Sequence, residues 1–65
     1  MSVGENIRKL RDEKNIQQAE LAEKVGVSQA MICQIERGTK NPSLQVAVGI
    51  AEVLKCDIKE LMKKV

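Results

Sequence analysis

Gly26-Val27-Ser28 joins two amphipathic segments of about eight residues each, and no other stretch restricts the possible folds as much. Gly26 takes positive φ without a Cβ penalty, so it can end one helix. Ser28 offers a short oxygen side chain to the free N–H groups of the next, so it can start another. The first helix of the pair is predicted over Gln18 to Val25, with Leu21, Ala22 and Val25 on its inner stripe. The second is predicted from Gln29 to about Arg37, with Ile32 and Ile35 buried, Met31 on the flank and Gly38 closing it. A joint this short makes the two helices cross, and the small Ala22 lets them cross closely, which is helix-turn-helix geometry. The start of the pair is poorly made, because Gln17 occupies the N-cap position; Glu20 in the first turn still favours the positive helix end.

The remaining chain has the same texture. Val3, Ile7 and Leu10 recur at helical spacing, predicting a first helix over about Val3 to Lys14. Asn15 tolerates the left-handed turn that ends it, and Ile16 plugs the core behind that turn. Pro42 separates the loop Thr39-Lys40-Asn41 from a fourth helix, capped by Ser43 and running from about Leu44 to Leu54. Its apolar face is read as Leu44, Ala47, Val48, Ala51 and Leu54, with Ile50 on a second flank. Gly49 either permits close packing or is tolerated, and tolerance is the favoured reading. Asp57 and Glu60 have capping-box spacing for a fifth helix, whose oily side is Ile58, Leu61, Met62 and Val65. The 65 residues include no Phe, Tyr or Trp, so the core must be Ile, Leu, Val, Met and Ala. The expectation is one all-α domain over residues 1–65, compact and five-helical, with a helix-turn-helix core at about 18–37.

Composition excludes more than it identifies. A chain this small buries only about 60% of its unfolded surface, leaving little room for a deep catalytic cleft. It has no His, no nucleophile–base constellation and no phosphate-binding glycine loop, so it is read as not an enzyme. Cys33 and Cys56 lack the companions a metal site needs, so no metal and no cofactor are expected. Two isolated cysteines, no signal peptide and no apolar run of membrane length point to a cytoplasmic protein without a membrane partner. The formal charge of +2 is too small to indicate nucleic acid by itself.

Placement supplies what charge does not. With Ile32 and Ile35 turned inward, the outward face of the third helix carries Gln29, Ala30, Cys33, Gln34 and Arg37. A helix of this width fits the DNA major groove, and a glutamine amide pairs with adenine N6 and N7. Gln29 lies at the helix start, nearest a base edge in the usual docking mode. Ala30 suits a thymine methyl, and Gln34 a base or a phosphate. Gln18 and Cys33 are auxiliary candidates, Gln18 for a phosphate at the start of its helix. Arg37, Thr39, Lys40 and Asn41 follow as candidates for the phosphate backbone. Glu36 is unfavourable both beside DNA and near a helix C-terminus. Arg11 on the first helix is its expected partner, in a bidentate pair tying the first helix to the third.

The stretch "QAELAEKVGVSQAMICQIERG", followed by "NPSL", resembles the Cro/C1-type, or XRE-like, helix-turn-helix family. The resemblance spans roughly Ile7 to Met62, and rests on the joint spacing of Gln18, Leu21, Ala22, Gly26, Val27, Ser28, Ile32, Ile35, Glu36 and Gly38. It implies a lambda-repressor-like fold and a dimer bound to a double-stranded DNA operator. It also implies that the glutamines matching Gln18, Gln29 and Gln34 serve recognition, and that an arginine–glutamate pair stands at Arg11 and Glu36. Gln17 stands where Thr or Ser is usual, Asn15 where Gly is common, and Gly49 where a polar residue is typical. Ala30 and Cys33 are small or weakly polar, which blurs the operator. A homodimer would use the region of the last two helices, where Met62 and Val65 either form the interface or cover the core. The alternative is an antitoxin or interaction module that binds a protein partner, with DNA binding secondary or absent.

Overall fold

The computed structural model describes residues 2–62. Within them the chain forms α1 (Val3–Glu13), α2 (Gln18–Val25), α3 (Gln29–Arg37), α4 (Leu44–Leu54) and α5 (Ile58–Leu61). The expected all-α order is therefore present, with α1 one residue shorter than read. Lys14 serves as its C-cap instead, and Asn15 turns the chain at φ 57°. The core is one aliphatic cluster: Ile7 of α1, Leu21 and Ala22 of α2, Ile32 and Ile35 of α3, Ile50, Ala51 and Leu54 of α4, and Leu61 of α5. Every helix contributes to it, so no helix is an appendage. Val27 and Ile16, both in joints between helices, pack against the same cluster.

Helix ends are secured by side chains in three places. Ser28 Oγ accepts from the Met31 N–H at 3.1 Å, and Ser43 Oγ accepts from the Val46 N–H at 3.2 Å. At α1 a full capping box forms: Ser2 Oγ accepts from the Glu5 N–H, and Glu5 accepts from the Ser2 N–H at 3.1 Å. The Ser2 N–H and, less strongly, its hydroxyl hold the Glu5 carboxyl below the usual carboxylate range. That box was legible as Ser2-x-x-Glu5 but was not read. The box that was read, Asp57 to Glu60, does not form. Asp57 has N-cap backbone angles but its side chain caps no N–H. The single turn of α5 is held from elsewhere, by burial of Leu61 and by the Asn6 side-chain amide, which donates to the Leu61 carbonyl at 3.3 Å.

The buried face of α4 is rotated from the one expected. Ala47, Ile50, Ala51 and Leu54 are buried, at the i, i+3, i+4, i+7 spacing of a core stripe. Leu44 is 77% exposed and Val48 also faces outward. An apolar helix offers two overlapping stripes, and the neighbours α2, α5 and α1 select one of them. Gly49 is half-buried against α2, where an added Cβ would lie 3.3 Å from Val25 Cγ1. That one contact is the tip of a side chain, so a methyl at Gly49 would ask Val25 to give by a few tenths of an ångström.

One close approach was not foreseen. Gly4 is buried in the first turn of α1, where it meets the last turn of α3. A Cβ there would overlap the Ile35 carbonyl oxygen and come within 2.8 Å of the Glu36 carbonyl oxygen. Only the hydrogen of glycine fits, so Gly4 sets the separation of α1 and α3.

Candidate nucleic-acid interface

The joint between α2 and α3 follows from its residues. Gly26 takes φ 87°, which lets its own N–H and that of Val27 both reach the Ala22 carbonyl, at 2.8 and 3.0 Å. Ser28 then starts α3, and Ile32 and Ile35 fasten that helix to the core. With its inner face anchored, α3 exposes Gln29, Ala30, Gln34 and Arg37, while Cys33 is half-buried. The structure thus brings five of the candidates onto one outward face.

The loop after α3 is tied back to that face. Gly38 takes φ 83°. The Gln34 carbonyl accepts from the Thr39 N–H at 3.0 Å, the Lys40 N–H at 3.3 Å and the Thr39 hydroxyl at 3.1 Å. Lys40 and Asn41 are therefore exposed on a loop whose origin is fixed to α3. The Thr39 hydroxyl hydrogen is already engaged, so its side chain has no donor left for another acceptor while that bond holds.

Glu36 sits behind the exposed face. Its side chain is 4% exposed, and that of Arg11 is 11% exposed. Arg11 Nε donates to Glu36 Oε2 at 2.8 Å, and Nη2 donates to Oε1 at 3.2 Å, a two-point fork between α1 and α3. The hydrogen bond to Glu36 raises the Arg11 pKa further above its ordinary value. Arg11 Nη1 also donates to the Ile16 carbonyl at 2.7 Å, pinning the turn after α1. Gln18 Nε2 donates to Glu36 Oε1 at 3.0 Å. Sequence reasoning missed this second partner of Glu36. It treated Gln18 as an outward-facing amide, whereas one of its two amide hydrogens is committed to the buried carboxylate. No local signal reveals that, because Gln18 and Glu36 meet only when α2 crosses α3.

The other candidate positions are simply located. Met62 is 40% exposed at the end of α5, and Val65 lies outside the described residues. Cys33 and Cys56 are free thiols, and burial pushes the Cys56 thiol pKa up. Among the described residues, no group of His, Cys, Asp and Glu is placed to hold a metal, and no helix is long and apolar enough to cross a membrane.

The profile of the helix-turn-helix family matches residues 7–61. This chain belongs to the Cro/C1-type (XRE-like) helix-turn-helix family. Its structure is similar to that of the P22 c2 repressor in complex with a synthetic operator, with a TM-score of 0.92 and 35% identity over 97% of this chain and 96% of that one. It is 34% identical over 62 residues to the immunity repressor protein of Bacillus phage phi105, covering 95% of this chain and 43% of the relative. It is 44% identical over 55 residues to an uncharacterised HTH-type transcriptional regulator of Archaeoglobus fulgidus, covering 85% of this chain and 79% of the relative. The chain thus spans under half of the phage repressor and over three quarters of the archaeal regulator. The Cro/C1-type function is sequence-specific DNA-binding transcriptional regulation, not catalysis, and this chain carries the DNA-binding unit.

Proposed function

We propose that this Cro/C1-type chain acts as a dimeric cytoplasmic repressor, reading short palindromic operators through the major groove with α3. The observation that carries this reading is the division of α3. Ile32 and Ile35 are fully used by the core, while Gln29, Ala30 and Gln34 stand exposed on a helix that cannot turn away. Gln29 and Gln34 are assigned to base edges, and Ala30 to a thymine methyl. Arg37, Lys40 and Asn41 are assigned to backbone phosphates, with Thr39 positioning the loop through Gln34. Two copies extend the sequence read and strengthen binding, which a domain of this size needs.

Selection of bound duplexes from a random pool, followed by titration of the winner and a scrambled duplex, tests this reading. A palindrome of two short half-sites is the expected result; no enriched sequence overturns it. Gln29→Ala is expected to cost about 1–3 kcal/mol on the selected duplex and to relax choice at one base pair. An equal loss on both duplexes removes Gln29 from base reading. Lys40→Ala is expected to weaken both duplexes alike and to reduce the salt slope by about one. A sequence-dependent loss would move Lys40 from the backbone to a base.

A second reading has its own observation. Leu44, Val48 and Met62 are large apolar side chains left exposed. A protein-interaction module, such as an antitoxin, would use such a surface for its partner. Substitutions at these positions that abolish partner capture while leaving duplex selection unchanged would favour it.

A further inference from the structure

We propose that Thr39 is a phosphorylation site, and that a phosphate there is taken up by Arg37 and Lys40 and releases the domain from DNA. That release rests on the DNA-binding reading above. Side-chain hydroxyls occur in the chain only at Ser2, Ser28, Thr39 and Ser43. The three serines are helix N-caps, whose Oγ atoms accept from the N–H groups of Glu5, Met31 and Val46. Thr39 caps nothing. It lies in the exposed, non-helical stretch between α3 and α4, and its hydroxyl donates to the Gln34 carbonyl at 3.1 Å. A protein kinase must draw the acceptor hydroxyl into its own active site, which favours an exposed loop over a capped helix start. Gln34 and Arg37 stand three apart on α3, so the Thr39 hydroxyl is held over the turn that carries Arg37.

The surroundings suit an added anion. Arg37 and Lys40 are exposed, and among the described residues neither has an ion-pair partner. No Asp or Glu occurs between Glu36 and Glu52, and Glu36 is buried in its own network. A phosphate on Thr39 carries about −1.5 to −2 charges at neutral pH, enough to offset both cations. Its ester oxygen has no hydrogen, so the bond to the Gln34 carbonyl is lost. Carbonyl and phosphate oxygens repel at the negative end of α3, which turns the phosphate outward to the cations. Arg37 and Lys40 are then spent on the chain's own phosphate, and a duplex meets an anion where it needs them. In the transfer, Thr39 Oγ1 bonds to the γ-phosphorus of a nucleoside triphosphate. The bond from that phosphorus to the bridging oxygen breaks, the nucleoside diphosphate leaves, and the hydroxyl proton passes to a carboxylate of the kinase.

The test has two arms. In the first, the folded chain is incubated with ATP and a serine/threonine kinase that prefers basic residues near its acceptor, and the phosphate is mapped by mass spectrometry. Incorporation at Thr39 is expected, and it should be slower in Arg37→Gln. Incorporation confined to the serines, or none, overturns the site. The second arm uses the full chain made by chemical synthesis with Thr39 phosphorylated, beside the unmodified chain and Thr39→Val. Each is titrated with the selected and scrambled duplexes at about 50 and 200 mM salt. Phosphorylation is expected to weaken both duplexes more than about tenfold and to reduce the salt slope by about 1.8, the loss of two phosphate contacts. Over this fourfold rise in salt the unmodified chain then loses about 12-fold more affinity than the phosphorylated one. Thr39→Val removes the hydroxyl bond without adding charge and is expected to keep the slope. With Arg37→Gln and Lys40→Gln both present, the phosphate has no cation to take up and should change the slope by less than about 0.5. An unchanged slope on phosphorylation, or an equal drop in Thr39→Val, overturns the release from DNA while leaving α3 recognition intact. If wild type enriches no duplex, the DNA reading fails, and the mapping of the phosphate decides the site by itself.

Discussion

Gly4→Ala is expected to destabilise the domain by about 1–3 kcal/mol, the reverse of what helix propensity alone predicts. In an unconstrained helix the same change gains about 0.5–1 kcal/mol, because glycine loses more chain entropy on folding. Gly4 differs because the added carbon would overlap the Ile35 carbonyl oxygen and crowd that of Glu36. Both are backbone atoms in the last turn of α3, so no side-chain rotation relieves the overlap. Either α1 moves away from α3 or its first turn frays, and both open the core around Ile7 and Ile35. At this chain length each kcal/mol lowers the melting temperature by roughly 4–8 °C. Gly49→Ala is the control. Its new methyl meets only the side chain of Val25, at 3.3 Å, so propensity and crowding nearly cancel. Thermal melts followed by circular dichroism separate the two cases. A Gly4→Ala protein as stable as wild type would show that α1 and α3 do not need this separation.

Arg11→Met is expected to cost about 3–5 kcal/mol, because it strands the Glu36 carboxylate in a site with 4% side-chain exposure. Stability runs at about 0.05–0.15 kcal/mol per residue, so this loss removes a large share of the total and should lower the melting temperature by more than about 10 °C. Gln18 alone cannot replace the cation; it supplies one hydrogen bond and no charge. The double variant Arg11→Met, Glu36→Met should recover much of the loss, since a packed apolar pair needs no counter-charge. The cycle isolates the coupling between the two residues. Arg8 and Asp12 offer the contrast, with side chains 70% and 60% exposed and 3.9 Å between charged atoms. Breaking that pair should cost about 0–1 kcal/mol. If Arg11→Met costs no more than that, the Glu36 network is an exposed surface feature and not a tie between helices.

The Arg11–Glu36 geometry shows how a tertiary contact can sometimes be reached from local rules. A carboxylate near a helix C-terminus and next to an anion-binding face requires a cation, and Arg11 occupies the matching turn of α1. Gln18 carries no such signal. Nothing about an amide at a helix start announces which acceptor it will meet. The same asymmetry separates the two glycine classes. Gly26 and Gly38 were readable because each follows an apolar helical stripe at the position where φ turns positive. Gly4 sits one residue inside its helix, and its role exists only because another helix passes close by.

The order of the helices, and the existence and most of the ends of α1 to α4, were determined by the sequence alone, because they depend on the stripe spacing, the serine caps and the left-handed turns at Gly26, Gly38 and Asn15, whereas α5 leans on the distant Asn6 amide and the burial of Leu61. The outward set Gln29, Ala30, Gln34 and Arg37 followed as well, once Ile32 and Ile35 had claimed the inner face of α3. The tertiary structure decided which of two stripes α4 buries, how closely α1 approaches α3, and that Gln18 and Arg11 share one carboxylate. Those outcomes depend on the placement of helices far apart in the chain. Helical periodicity gives each helix a face but does not say which neighbour will meet it or at what distance.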